Sequence, residues 1–301
     1  MSGNRRIDQL QNNARSITLF RAIAVAHRHT QSAQATSLVM SLVLAVLGII
    51  ARIAHPSASA AVTIAGAVWA GTYAAVLAPL VGRHLRTSAT LQEMLDVDLF
   101  GLPWNLTLVG VRLPEDEVSR LSRRFRRDEG KLRDYYLVAS VAGPYDVFFC
   151  LEQNLAWGSR VRRRYAQVLV GVVVVWCLAV VVVNFATGST VATVVTSWLV
   201  PSLGLLLTCW DIARAQISST RERERVLPMV RSFLEGGPAP ATAGQETFAR
   251  QIQDVLFLVR RQQPRTPQWF FGLFHNDDLA DFRYKMAVLE ERHGTAQQSG
   301  P

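Results

Sequence analysis

The sequence predicts an all-α integral membrane protein, with two transmembrane helical hairpins, a helical cytoplasmic segment between them and cytoplasmic helices at both ends. Three observations carry this. Half of the 301 residues are apolar, more than a chain with a water-exposed surface ordinarily carries. They gather in four stretches, Thr36 to Ala54, Ala60 to Gly82, Gln167 to Ala186 and Thr190 to Trp210, each close to the roughly 20 residues that cross a bilayer core as a helix. Lysines and arginines number 5 before the first stretch, 14 between the second and third and 12 after the fourth, with only Arg52 near a link. By the positive-inside rule, both termini and the central segment are then cytoplasmic.

The elements follow in chain order. Residues 1–35 read as an amphipathic helix, with Ile7, Leu10, Ala14, Ile17 and Ala24 on one face, lying on the membrane or packed on the central segment. Residues 36–82 form the first hairpin, because the link from His55 to Ser59 is too short for anything else. In the central segment, 83–166, "RLPEDEVSRLSRRFRRDEG" has Pro114 and three acids at its start and arginines at its end. That polarity complements the helix dipole and predicts a helix ending near Gly130. Beyond Pro144 the pattern runs without a breaker through Arg164 into the third span, so one helix is expected there.

Residues 167–210 form the second hairpin. The last region, 211–301, begins as an extension of the fourth span that Pro228 bends or divides. A linker at 236–244 follows, then a helix with Phe248, Ile252, Val255, Leu256 and Val259 on one face. A second carries Leu279, Phe282, Met286 and Leu289. Between them "QWFFGLF" suits either docking on the protein or anchoring at the membrane interface.

Chemistry-bearing motifs are scarce. The six histidines are scattered, no metal-ligand spacing occurs, and no phosphate loop or nucleophile elbow is present. The sequence therefore reads as a non-enzyme without metal or cofactor. Glu93, Asp96 and Asp98 form the densest carboxylate group and suit an ion-pair network with nearby arginines. In the fourth span Thr190, Thr193, Ser197, Pro201, Gly204, Thr208 and Asp211 recur every three or four residues, giving one small or polar face. Ser41 and Gly48 belong to a similar stripe in the first span. Such stripes serve close helix packing or line an oligomeric pore.

Two arginine groups stand out: Arg123, Arg124, Arg126 and Arg127 in the central helix, and Arg160, Arg162, Arg163 and Arg164 at the third span's entrance. Arginines pair bidentately with phosphate oxygens. The second group suits anionic lipid headgroups or a phosphate-bearing ligand; nucleic acid is disfavoured, since the group sits at a bilayer boundary without interleaved aromatics.

Several motifs, in this order, carry a family resemblance. They are "IDQLQNN" with Gln11 and Asn12, "LQEMLDVDLFGLPWN" ending in Trp104 and Asn105, "RDYY" with Tyr136, and "CLEQNLAWGSRVRRRY" with Cys150, Asn154, Trp157 and Tyr165. The chain resembles the S-4TM family, four-transmembrane pore-forming effectors of bacterial cyclic-oligonucleotide antiphage signalling (CBASS). It departs from that pattern at Leu151 and Glu152, where Gln-Arg is usual, and at Gly158, where Asp is frequent. The resemblance implies an effector of the bacterial inner membrane, with lipid and a nucleotide second messenger as partners and a cyclic oligonucleotide as ligand, that permeabilises the membrane; four short-looped spans are few for a wide pore within one chain, so a homo-oligomer is expected. A membrane-anchored sensor or scaffold acting through a protein partner is the alternative.

Overall fold

A computed structural model describes residues 7–136, 143–188, 190–236, 244–273, 284, 287 and 288, and every regular element among them is helical. After the short α1 (Ile7–Leu10), α2 (Ala14–Ala54) is one continuous helix, started by Asn13, whose side chain accepts the Ser16 N–H. A 3-10 turn, Pro56–Ala58, leads to α3 (Ser59–Thr72), which runs through a wide π turn at Tyr73–Leu77 into α4 (Ala78–Phe100). The short α5 (Leu106–Val109) and α6 (Glu115–Ser122) follow. Then come α7 (Tyr145–Ala156), α8 (Ser159–Thr187), α9 (Val191–Val194), a second π turn at Val195–Leu199 and α10 (Val200–Leu234). The elements α11 (Gln245–Arg260) and α12 (Gln268–Gly272) complete the described chain.

Four helical stretches, Ala14–Ala54, Pro56–Phe100, Tyr145–Thr187 and Val191–Leu234, are long and apolar enough to cross a membrane. Their apolar portions turn large side chains outward: Ile53, Ile64, Val175, Val182 and Phe185 are all more than 60% exposed. In water such a surface would drive aggregation; in hydrocarbon it is the expected exterior.

Both π turns have the same cause. Pro79 and Pro201 each stand at the second residue of the helix that follows the turn. A proline lacks an N–H and its ring collides with the carbonyl four residues earlier, so the preceding turn widens to absorb it. Around Pro201 the helices approach closely. A Cβ on Gly66 would lie 2.5 Å from the Pro201 Cα, one on Gly48 2.8 Å from its Cβ, and one on Gly204 2.6 Å from the Trp69 ring. Trp69 Nε1 donates to Ser41 Oγ at 2.8 Å in the same contact.

The other ends of these helices share a core with α1, α6, α7 and α11. Phe148, Phe149, Leu91, Leu151 and Leu256 are fully buried there. The amphipathic N-terminal face packs into it through Ile7, Ile17 and Phe20, so of the two placements the sequence allows, packing on the central segment is the one adopted.

The described residues correct two local expectations. The helix begun at Glu115 ends at Ser122, not near Gly130. Arg123 to Arg127 would place like charges three and four residues apart on a helix, which opposes continuation, and Asp128 opens a separate 3-10 turn by accepting the Gly130 N–H. The stretch entering the third span is broken at Trp157 and Gly158, with Gly158 at φ 70°. That left-handed conformation is easy for glycine and tolerated by aspartate, which accounts for either residue standing here. Of the two outcomes expected at Pro228, a bend or a division, the helix is not divided: Pro228 lies inside α10. Most of linker 236–244 and the helix expected around Leu279 to Leu289 lie outside the described residues.

The Pro201 contact predicts that Gly66→Ala, whose added methyl meets backbone, destabilises the detergent-solubilised protein by about 1–3 kcal/mol. Gly71→Ala, where nothing lies within 4 Å, should leave the thermal midpoint unchanged or raise it.

Candidate functional site: an arginine-lined cavity

A concavity of about 350 Å³ opens where α2, the turn after α6, the α7–α8 break and the α11–α12 connection meet. Six arginines line it: Arg28 from α2, Arg124, Arg126 and Arg127 from the turn, Arg162 from α8 and Arg265 from the connection. Among the described residues no aspartate or glutamate is in its wall. Phe125, Tyr135 and Trp157 supply aromatic surface.

The end of α6 at Ser122 creates this wall, because the arginines after it curve over α2 instead of spreading around a solvated helix. The Trp157–Gly158 break turns the Trp157 carbonyl to accept from Arg162 Nη1 at 2.6 Å. Burial, reinforced by the positive charge of Arg265, pushes the Arg162 guanidinium down to about 10. Arg223, behind it, is lowered further by burial and by Arg162 and Arg260; it donates to the Asn154 carbonyl and to Gln263. Among the described residues no carboxylate pairs with Arg28, Arg124, Arg126, Arg162 or Arg265. Arg265 is hemmed in by protein yet solvent-accessible, because it faces the open cavity. Concentrated, partly desolvated positive charge of this kind favours a polyanion.

A buried polar network lies beside the cavity, next to its wall residue Tyr135. Asp96 accepts from Tyr136 Oη at 2.6 Å, Gln253 Nε2 at 3.1 Å and Arg260 Nη1 at 2.5 Å. Glu93, wholly buried, accepts from Arg250 at 2.5 Å and Gln253 at 2.8 Å. Burial raises the Glu93 carboxyl despite these partners. Asp98 pairs with Arg15 and Arg112. The ion-pair network expected of the three carboxylates therefore exists, but Arg250 and Arg260 come from α11, far away in sequence.

The motif residues brace this network. Gln11 binds both backbone groups of Tyr136, donating to its carbonyl at 3.2 Å and accepting its N–H at 2.8 Å. Asn12 donates to Asp134 at 2.8 Å, and Asn154 donates to Tyr136 Oη at 2.9 Å. Asn105 caps α5 and donates to Asp254; Trp104 donates to the Gly110 carbonyl beneath Arg112. Cys150 is buried in the core, and Tyr165 packs on the buried Phe270 of α12, whose neighbour Trp269 is 70% exposed.

Of the candidate phosphate-binding residues, the fold brings Arg124, Arg127 and Arg162 together, with Arg126. Arg123, Arg160, Arg163 and Arg164 are not in the wall; Arg163 pairs with Glu224 on α10. Arg28, Gln31, His27 and Arg265 carry no sequence signal, since they converge only when α2 and the α11–α12 connection meet. In the small-residue stripes, Ser41, Gly48, Ser197, Gly204 and Thr208 are buried between α2, α3 and α10, Thr190 and Thr193 lie nearer the surface, and Asp211 accepts from Tyr73 Oη.

His27, buried at the cavity wall, has its pKa driven well below 6.5 by burial and by Arg265 and Arg260. Its Nε2 accepts from Gln92 Nε2 at 3.0 Å, so the neutral ring carries its proton on Nδ1. A depressed histidine pKa means that the unfolded chain takes up the proton first. Stability is then intact above about 6.5 and lost as pH falls below it. The thermal midpoint should drop between about pH 7.5 and 5.5, and His27→Gln should make that drop smaller.

Comparison with known proteins agrees with this architecture. The SMODS-associating 4TM effector domain matches residues 5–289. A Bacillus cereus (strain VD146) protein named "Probable CBASS effector molecule" is 22% identical over 277 residues, covering 89% of this chain and 92% of the relative. No solved structure matches the chain. With the family match spanning nearly its whole length and four membrane-length apolar helices, the chain belongs to the SMODS-associating 4TM effector family and is a multi-pass membrane protein.

Proposed function

We propose that the protein is an antiphage effector of the bacterial inner membrane, gated by a nucleotide second messenger in the arginine cavity, that permeabilises the membrane as a self-associated pore. The supporting observation is the cavity's position: six arginines and, among the described residues, no lining carboxylate, the arginines drawn in part from α2 and α8, two of the membrane-length helices. A phosphate-bearing ligand bridging Arg28 and Arg162 contacts both helices at once, and the difference in its affinity for two arrangements sets how far it shifts them. In this reading residues 36–82 and 167–210 are transmembrane hairpins, and residues 1–35, 83–166 and 211–301 face the cytoplasm. The distribution of lysine and arginine supports that orientation.

The stripe of Ser41, Gly48 and Gly204 is occupied by helix packing within one chain. Pore formation then requires either that α2 and α10 part or that copies associate through other faces. A sensor acting through a protein partner is the second reading, favoured by Trp269 and Leu273, both more than two-thirds exposed. Deleting residues 268–274 should abolish that function without altering ligand-induced leakage.

Cyclic di- and trinucleotides should raise the melting temperature of detergent-purified protein, because binding to the folded state stabilises it, and should trigger dye release from proteoliposomes. Arg162→Gln should remove both effects, and Arg163→Gln, outside the cavity, should retain them. Anionic lipid micelles serve as the control. A shift given by lipid and by no nucleotide assigns the cavity to headgroups and overturns the proposal.

A further inference from the structure

A second chamber of about 160 Å³ adjoins the arginine cavity, with Ala24, Tyr135 and Arg265 in the walls of both. At about 30 Å³ per water it holds roughly five waters, too little for a whole nucleotide. Its chemistry is that of a slot. Phe20, Ile23, Leu95 and Leu132 give apolar walls, Tyr135 and Tyr136 give ring surface, and Gln92, Arg260 and Arg265 give convergent polar groups. Apolar walls with a few placed polar groups are the usual make-up of a small-molecule site.

Gln92 is the informative residue. One of its amide N–H groups is engaged by His27 Nε2 at 3.0 Å. Its carbonyl oxygen has no hydrogen-bond partner among the described residues and is not sealed from solvent, so one acceptor and one further N–H remain available side by side. That pair matches the N6 amino group and N7 of adenine, the edge a glutamine reads bidentately. The Asp96 carboxylate is already committed to Tyr136, Gln253 and Arg260; it holds Arg260 in the wall and leaves Gln92 as the reading group.

We propose that this chamber is a base-reading subsite of the same ligand: phosphates lie among the arginines while one adenine passes Tyr135 and presents its edge to Gln92. The inference rests on the nucleotide reading of the larger cavity and adds base selectivity to it. The arginines alone cannot supply that selectivity, because a phosphate is the same in every nucleotide.

The test is calorimetric titration of the detergent-purified protein with three probes: cyclic diadenylate, cyclic diuridylate and inorganic triphosphate. Wild type should bind cyclic diadenylate about tenfold or more tightly than cyclic diuridylate. Leu132→Trp, which fills the chamber, and Gln92→Met, which keeps side-chain length but removes the amide, should each weaken cyclic diadenylate by about tenfold while triphosphate binding stays within about twofold. Equal binding of the two dinucleotides by wild type, or unchanged cyclic diadenylate affinity in both variants, overturns the base subsite and leaves the arginine site standing. Absence of binding by all three probes to wild type defeats the nucleotide reading itself, and the subsite with it.

Discussion

The ion pair between Asp96 on α4 and Arg260 on α11, 2.5 Å long and almost wholly buried, is the interaction on which the rest of the polar half depends. A buried pair of this kind is a weak source of net stability, since both ions lose their hydration, but losing either partner strands the other charge at a cost of about 3–5 kcal/mol. Its value here is positional. Asp96 also takes the Tyr136 hydroxyl, which in turn accepts from Asn154 on α7, and Gln11 at the amino end clasps the Tyr136 backbone. One carboxylate thus ties together α4, α7, α11 and the segment before the first long helix. Burial works to lower the Arg260 pKa, but Asp96 and the tyrosines more than offset it, and the net shift is upward.

The contrast with the neighbouring arginines defines the site. Arg260 has its counter-charge; Arg162 and Arg265, in the adjoining wall, have none among the described residues. Like charges gathered in a partly desolvated space raise the free energy of the empty state, and a polyanion lowers it. Arg28 and Arg162 in the same wall extend from α2 and α8, whose far ends are apolar and outward-facing, so a ligand held by both would act at the root of two long helices. Gly158, in the left-handed region between α7 and α8, separates the packed core from the helix carrying Arg162, and the motion of one need not rotate the other.

The apolar half obeys a different constraint. Without a hydrophobic driving force between helices in lipid, close approach and hydrogen bonds hold them together. Gly48, Gly66 and Gly204 meet Pro201 and Trp69 at distances that a side chain would fill. The prolines that open the π turns leave the helices continuous but locally widened, a feature common to both spans that carry one.

Much was legible in the sequence by itself. Hydropathy length marks the four long helices because a bilayer demands about 20 apolar residues whatever the fold. The ordered motifs identify the family, and the arginine runs mark where positive charge is concentrated. The tertiary structure decided which arginines converge. Arg124 and Arg162 were candidates by sequence, yet Arg28 and Arg265 joined them from positions with no local signal, and Arg123, Arg160, Arg163 and Arg164 were turned away. The reason is physical: periodicity reports which face of a helix is apolar, whereas a cavity is made where separate elements stop. Here it arises because α6 ends at Ser122 and α7 at Ala156, two terminations set by charge repulsion and a left-handed glycine rather than by the hydrophobic pattern.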